Sequence, residues 1–227
     1  MYKDFKITIV IPCLNEEEGI QEVLSRIPGF VDEVIVVDND STDKTAEIAA
    51  RMGARVIREE VRGYGRAYKT GLMAAQGDVI ITLDGDHSYP VDSLSYLIEA
   101  LFRLKVGFVS ASRFPVQNPN AMSFTSFVGN IGLSAIMSFL FFRRIRDSQS
   151  GMWIFFKEAL HKMNLDSDGM AFSEEIKIEA LTHPEIGFKE IPIYYSNRRG
   201  EKKLQPLRDG WNNLVFLLKK RLRTLGR

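Results

Sequence analysis

Asp78-Val79-Ile80-Ile81-Thr82-Leu83-Asp84-Gly85-Asp86 is an apolar, β-branched run that stops abruptly at two carboxylates flanking one glycine. Taking two neighbouring carboxylates out of water is costly unless a cation neutralises them. Gly85 is expected to let the backbone come close to whatever they hold. A hard divalent cation with open positions for phosphate oxygens suits that need. Asp-Gly is also ordinary turn chemistry, so the surroundings must decide. Upstream, Lys6-Ile7-Thr8-Ile9-Val10-Ile11-Pro12-Cys13-Leu14-Asn15-Glu16 is another buried-strand run ending in polar residues, and Glu33-Val34-Ile35-Val36-Val37-Asp38-Asn39-Asp40 is a third. In an open parallel sheet such ends line one crevice, where ligands bind. Helices predicted to open at about 16 and 43 add exposed N–H groups that suit phosphates.

The pattern along the whole chain predicts strands near 7–11, 33–37, 55–58, 78–83, 106–110, 152–156 and 189–193. Helices are expected near 16–26, 43–52, 65–76, 92–104, 125–141, 157–163, 172–183 and 206–224. Alternating β and α elements argue for an α/β fold with a doubly wound parallel sheet over the first ~110 residues. The 227 residues, 45% of them apolar, supply one sizeable core. Cys13 is the only cysteine, which excludes an intramolecular disulfide and suits a reducing compartment. The first residues lead straight into a strand, with no signal-peptide pattern. Net charge is +1 but unevenly spread: residues 198–227 carry +8, leaving about −7 for the rest.

The motifs Val10-Ile11-Pro12-Cys13-Leu14-Asn15-Glu16, Val36-Val37-Asp38-Asn39-Asp40-Ser41-Thr42-Asp43 and Asp84-Gly85-Asp86 resemble the inverting family 2 glycosyltransferases with the GT-A fold. Ala111-Ser112-Arg113-Phe114, Asp147-Ser148-Gln149-Ser150-Gly151, Glu190-Ile191-Pro192-Ile193 and the Arg198-to-Leu204 segment resemble the branch that glycosylates dolichyl or other polyprenyl phosphates. The likeness spans roughly residues 5–222. It implies a mostly parallel doubly wound sheet with flanking helices, amphipathic ones on the membrane side. The GT-A domain would cover 1–204, with a nucleotide-binding half to about 113 and an acceptor half from 114. A basic amphipathic helix would cover 205–227.

The implied reaction moves a sugar from a UDP- or GDP-linked donor to a polyprenyl phosphate, with Mg²⁺ or Mn²⁺ stabilising the departing diphosphate. Asp86 would be the metal ligand, with Asp84 on the nucleoside side assisting it. Pro12, Leu14, Glu16, Asp38, Asp40 and Gly85 would contact the donor. For Asp38 an Asx-type turn is the plain alternative. An acceptor phosphate is already ionised and needs cations rather than a base; Arg113, Arg198 and Lys203 would hold it. Asp147 would orient an arginine or touch the acceptor, or else simply form a turn with Gly151. Glu175, or its neighbour Glu174, would be the base if the acceptor were a hydroxyl.

Two positions depart from the family pattern. Ser88 stands where some relatives place a metal-binding Gln. No basic residue lies in 120–124, where relatives often carry an acceptor-phosphate arginine, so either another cation, Arg143 or Arg144, takes over or the acceptor differs. The Gly63-x-Gly65 pair ahead of a helix suits phosphates or simple helix capping, and follows the third strand rather than the first, against a dinucleotide fingerprint.

Two stretches bear on a membrane. Residues 124–142 are mostly apolar and flanked by Arg143, Arg144 and Arg146, and read as an interfacial or partly buried helix rather than a span. In the C-terminal helix Trp211, Leu214, Val215, Leu218, Leu222 and Leu225 form a stripe, with basic residues mainly off it. Such a helix either lies on an anionic surface or packs on the core with its basic residues solvated. Peripheral attachment at the cytoplasmic face follows. Three rivals to this reading are a hydroxyl-acceptor transferase using Glu174, Glu175 or Asp147, a sugar nucleotidyltransferase, and a basic binding module. The second would show a basic Gly-rich loop after the first strand. Nucleic-acid binding gives no reason for acids at three strand ends.

Overall fold

Alternation within the first strand sets the layering. Ile7, Ile9, Ile11 and Cys13 face one core cluster and Val10 the other, so the strand is buried on both faces. The computed structural model describes residues 2–201, 203 and 205–225. The strands are β1 Ile7–Cys13, β2 Glu33–Asp38, β3 Arg55–Arg58, β4 Val79–Thr82, β5 Phe108–Ser112, β6 Trp153–Phe156 and β7 Phe188–Pro192. The helices are α1 Glu17–Ser25, α2 Thr45–Arg51, α3 Tyr64–Ala74, α4 Leu94–Arg103, α5 Phe124–Phe141, α6 Lys157–Leu160, α7 Phe172–Thr182 and α8 Pro206–Leu225. Leu204 and the side chain of Leu225 lie outside the described residues.

The strands form one sheet in the order β3-β2-β1-β4-β6-β5-β7. Strands β1 to β4 pair in parallel, as expected. The fifth strand, however, does not follow β4 directly: β6 runs antiparallel between β4 and β5. The reversal puts the start of β6, and with it the Asp147–Gly151 segment, at the same edge as the ends of the parallel strands. Chain order changes direction between β1 and β4, which makes the crevice outside their carboxyl ends the switch point of the sheet.

On one face α1 and α4 bury Ile20, Val23, Leu94, Leu97 and Leu101, while on the other α3 and α7 bury Tyr68, Leu72, Phe172 and Ile176. A third cluster of Met137, Phe141, Ile145, Ile178 and Leu217 seats α5 and α8 against α7. Two sequence expectations are corrected here. The Gly-x-Gly pair makes room for a neighbouring loop and not for phosphates: a Cβ on Gly63 or Gly65 would come within 2.5 or 2.3 Å of the carbonyl oxygens of Asp168 and Ser167. Lys220, expected among the solvated basic residues, is buried; its ammonium pairs with Glu175 at 3.0 Å and Glu179 at 2.6 Å.

Candidate active site

At the switch point the end of β1 meets the end of β4. The backbones touch: a Cβ on Gly85 would lie 2.6 Å from Cys13 Sγ, and one on Gly19 would lie 2.6 Å from the Gly85 carbonyl oxygen. Gly85 therefore serves the packing of β1 and α1 against the acidic triplet, rather than the approach of a ligand. Around this contact converge Asp84, Asp86 and Glu16. Asp84 Oδ1 accepts from Tyr68 Oη at 3.3 Å. Burial, then Asp86 and Glu16, push its carboxyl up to about 7. Asp86 Oδ1 accepts from the Ser88 amide at 3.0 Å and from the Ser88 hydroxyl at 2.5 Å. Ser88 thus orients Asp86.

Arg198 and Lys203 reach the acids at the ends of β1 and β4, not Arg113. Lys203 Nζ lies 2.7 Å and Arg198 Nη2 3.2 Å from Glu16 Oε1, and Arg198 Nε is 3.6 Å from Asp86 Oδ2. Two backbone bonds hold their segment in place: Ser196 N donates to Ser88 O at 2.9 Å and Arg199 N to Asp86 O at 2.8 Å. Burial still pushes Glu16 above the usual carboxylate range, against Lys203 and Arg198.

The other expected donor residues divide. Pro12 and Leu14 are half-buried at the end of β1, beside Asn15, which accepts from Thr42 N at 2.8 Å. Asp38 is buried and accepts from Ser41 N at 3.3 Å, the turn geometry weighed for it above. Asp40 stands outermost, paired with Arg62 at 3.0 Å and Arg58 at 3.7 Å.

Across the crevice lies the tightest charge pair. Arg113, just past β5, binds Asp147 through Nε to Oδ2 at 2.8 Å and Nη2 to Oδ1 at 2.7 Å, and its backbone amide adds a third bond at 2.8 Å. Asn130 of α5 and the Gln149 amide complete the shell of Asp147 at 2.7 and 3.2 Å. Arg113 and these hydrogen bonds hold the Asp147 carboxyl well below the usual range despite full burial. The guanidinium lies over the Tyr195 ring, 5.4 Å from its centroid, and uses one edge for Asp147. Among the described residues its Nη1 has no hydrogen-bond partner.

Two residues here were given no role in the sequence reading. Lys177, fully buried in α7, donates to the Asp147 carbonyl at 2.8 Å, and burial pulls its ammonium down to about 8. Glu190 accepts the Arg146 and Asp147 amides at 2.8 and 3.0 Å, fixing the same turn.

Glu175 does not face this site. Ser167 N takes one of its oxygens at 2.8 Å and Lys220 the other at 3.0 Å, so neither is free to act as a base. Glu174 is fully buried, accepts from Gln149 Nε2 at 2.7 Å, and is pushed well above the carboxylate range by burial. Arg143 and Arg144 are exposed beyond α5.

Among the described residues no three His, Cys, Asp or Glu side chains are arranged to cage a metal. Asp84 and Asp86 fit instead a hard cation that takes one or two carboxylates and fills its shell with phosphate oxygens and water. Burial and then the neighbouring acids raise the Asp84 carboxyl, and such a cation would relieve that cost.

A family model for glycosyl transferase family 2 matches residues 8–163. The chain belongs to that family. It is 34% identical over 209 residues to a dolichyl-phosphate hexose transferase of Haloferax volcanii, covering 90% of this chain and 89% of that protein. It is also 32% identical over 219 residues to a low-salt glycan biosynthesis hexosyltransferase of the same organism, covering 93% of this chain and 53% of the relative. The chain thus spans about half the length of that second relative. A crystal structure of glucosyl-3-phosphoglycerate synthase from Mycobacterium tuberculosis, in complex with Mn²⁺, uridine diphosphate and phosphoglyceric acid, superposes with a TM-score of 0.76. At 22% identity, covering 96% of this chain and 78% of that one, it shares the fold. The protein is a family 2 glycosyltransferase with the GT-A architecture expected from its sequence.

Proposed function

We propose that this glycosyltransferase moves a sugar from a UDP- or GDP-sugar to a polyprenyl phosphate of the dolichyl type, inverting the anomeric centre by direct displacement. One observation carries the choice of acceptor. Opposite the acidic pair stands an arginine with a free edge, and none of the three carboxylates considered as bases is available. Asp147 is bound by Arg113, Glu175 by Lys220, and Glu174 is fully buried against Gln149. A hydroxyl acceptor needs a positioned base to take its proton. A phosphate acceptor is already a nucleophile and needs orientation.

Asp86 and Asp84 would hold Mg²⁺ or Mn²⁺, which supplies charge stabilisation on the departing diphosphate. Arg198 and Lys203 add fixed positive charge on that same side, and Arg113 orients the acceptor. Tyr195 under the guanidinium and Asp147 along its edge restrict Arg113 to one direction.

The helix pair α5/α8 supports a lipid acceptor. Helix α5 is long and apolar enough to cross a bilayer. Two of its polar residues, however, face inward: Asn130 and Ser134 are buried and bonded to the Asp147–Ser148 turn, while Phe124, Val128, Ile131 and Phe139 are exposed. On α8 Trp211, Leu218 and Leu222 are exposed beside Lys219 and Arg223, and Arg221 covers the rings of Phe141 and Phe142. An apolar outer face rimmed by cations suits the interface of an anionic membrane, with the protein peripheral on its cytoplasmic side.

The test is transfer of radiolabelled sugar from a panel of UDP- and GDP-sugars into organic-extractable lipid, with polyprenyl phosphate and Mg²⁺ or Mn²⁺ supplied. Label in lipid from one donor, lost in Asp86→Ala, is the expected result. Nucleotide binding with no label in lipid would reject the acceptor.

A further inference from the structure

Both helices of the apolar pair send one buried asparagine to the same turn. From α5, Asn130 Nδ2 donates to Asp147 Oδ1 at 2.7 Å. From α8, Asn213 Nδ2 donates to Gln149 Oε1 at 2.8 Å. Gln149 in turn binds Asp147 Oδ1 through its amide at 3.2 Å and Glu174 through Nε2 at 2.7 Å. Asn130 is 4% exposed and Asn213 3%.

Packing alone does not explain these amides. A buried side-chain amide costs stability unless its groups are bonded, and an apolar residue of the same shape would be cheaper at a helix face. Here the cost is only partly offset, because among the described residues Asn213 Oδ1 and Glu174 Oε2 are buried without hydrogen-bond partners. Groups of this kind call for an explanation beyond stability. What the two asparagines share is the acid that aims Arg113. Any displacement of α5 or α8 against the body is passed to Asp147 through one direct bond and one two-step link.

We propose that Asn130 and Asn213 are positioning residues through which the α5/α8 pair sets the direction of Arg113, and hence the affinity for the acceptor phosphate. The inference rests on the polyprenyl-phosphate reading given above. It makes the surface that meets the lipid and the arginine that meets its phosphate one mechanical unit, while the donor side, built on β1 and β4, stays outside it.

The experiment compares Asn213→Leu with the parent and with Leu97→Ala, a fully buried change in the opposite layer that lowers stability without touching the turn. Acceptor KM, donor KM and Tm are measured for each, with a polyprenyl phosphate as acceptor. Asn213→Leu is expected to raise acceptor KM about tenfold, the equivalent of one hydrogen bond at the upper end of its usual worth. Donor KM stays at the parent value, and Leu97→Ala moves Tm but neither KM. Loss of folded enzyme alone lowers apparent kcat and leaves KM unchanged, so the split isolates positioning. If Asn213→Leu does not fold, Asn213→Ser, too short to reach Gln149, takes its place with the same expectation. Parental acceptor KM in the folded Asn213 variant, or an equal rise in Leu97→Ala, overturns the inference alone. No transfer to lipid phosphate by the parent overturns the acceptor reading and this inference with it.

Discussion

Asp147→Asn keeps the shape of a buried side chain and removes its charge, and the structure fixes what that removal costs. The two carboxylate oxygens of Asp147 accept five hydrogen bonds, two at Oδ2 from Arg113 and three at Oδ1 from Arg113, Asn130 and Gln149. An asparagine must turn its NH₂ toward one of these groups, so at least two buried donors face another donor. Each orphaned donor costs about 1–3 kcal/mol. Breaking a buried ion pair from one side gives a similar total of about 3–5 kcal/mol. For a chain of this size each kcal/mol moves Tm by about 2–4 °C, so the drop should be on the order of 6–20 °C. Thermal unfolding followed by tryptophan fluorescence reads it directly, since Trp153 is fully buried beside this layer.

The pH profile of the same variant adds a second check. The folded-state pKa of Asp147 is held below its unfolded value, which lies near 3.9. Its contribution is therefore complete above about pH 4 and is lost as pH falls below that. The parent should lose stability steeply on that acid limb, and Asp147→Asn should show a flatter one. A loss under about 1 kcal/mol at pH 7, with the acid limb unchanged, would refute the claim that Asp147 is a neutralised structural acid.

Three further outcomes are expected. Gly85→Ala drives a methyl to 2.6 Å from Cys13 Sγ and should cost about 1–3 kcal/mol and weaken nucleoside diphosphate binding, measured by isothermal titration. Glu175→Gln should lower Tm by loosening the Lys220 tether of α8, yet leave KM for the donor at its parent value in steady-state assays. Phe139→Asp, on a residue 77% exposed, should keep the parental Tm but abolish co-sedimentation with phosphatidylglycerol vesicles, which for the parent should itself weaken with added salt.

The parts of the fold legible in the sequence are those written in local periodicity. The β-branched runs at 7–13, 33–38 and 79–82 are buried on both faces, and no other element suits such runs between polar breaks. The place of β6 was not legible, because a four-residue apolar strand carries no mark of which neighbours it pairs with or in which direction. The acidic triplet announced the crevice, but Lys177 did not. It sits in α7, a helix buried nearly all round, where a single lysine reads as the solvated face of an amphipathic helix. Glu174 and Glu175 likewise could not be told apart by spacing: two adjacent carboxylates point to different sides of α7, and only Lys220, 45 residues on, shows that Glu175 turns toward α8. Arg198 and Lys203 were legible as cations yet not as partners of Glu16, more than 180 residues away.

The acids of this protein sort by whether the chain supplies their counter-charge, and Asp84 is the exposed side of that division. Asp147 has Arg113, and Glu175 has Lys220. Asp84 has a tyrosine hydroxyl, a distant arginine and two other carboxylates that repel it. Its folded-state pKa, pushed up to about 7, lies above its unfolded value. The folded state therefore holds the proton more firmly, and stability that is complete below about pH 4 is lost as pH rises toward 7. The same isosteric change that destabilises the protein at position 147 should thus act with the opposite sign here. Asp84→Asn removes a repelled charge that only an external cation relieves, and at pH 7.5 in a chelating buffer it should raise Tm by a few degrees, the equivalent of about 1 kcal/mol. Its transfer activity should fall even so, and its stability should lose the decline between about pH 4 and 7 that the parent shows. A Tm lowered as far as in Asp147→Asn would mean that Asp84 is one more neutralised structural acid, and the case for a cation held at the end of β4 would lose its physical basis.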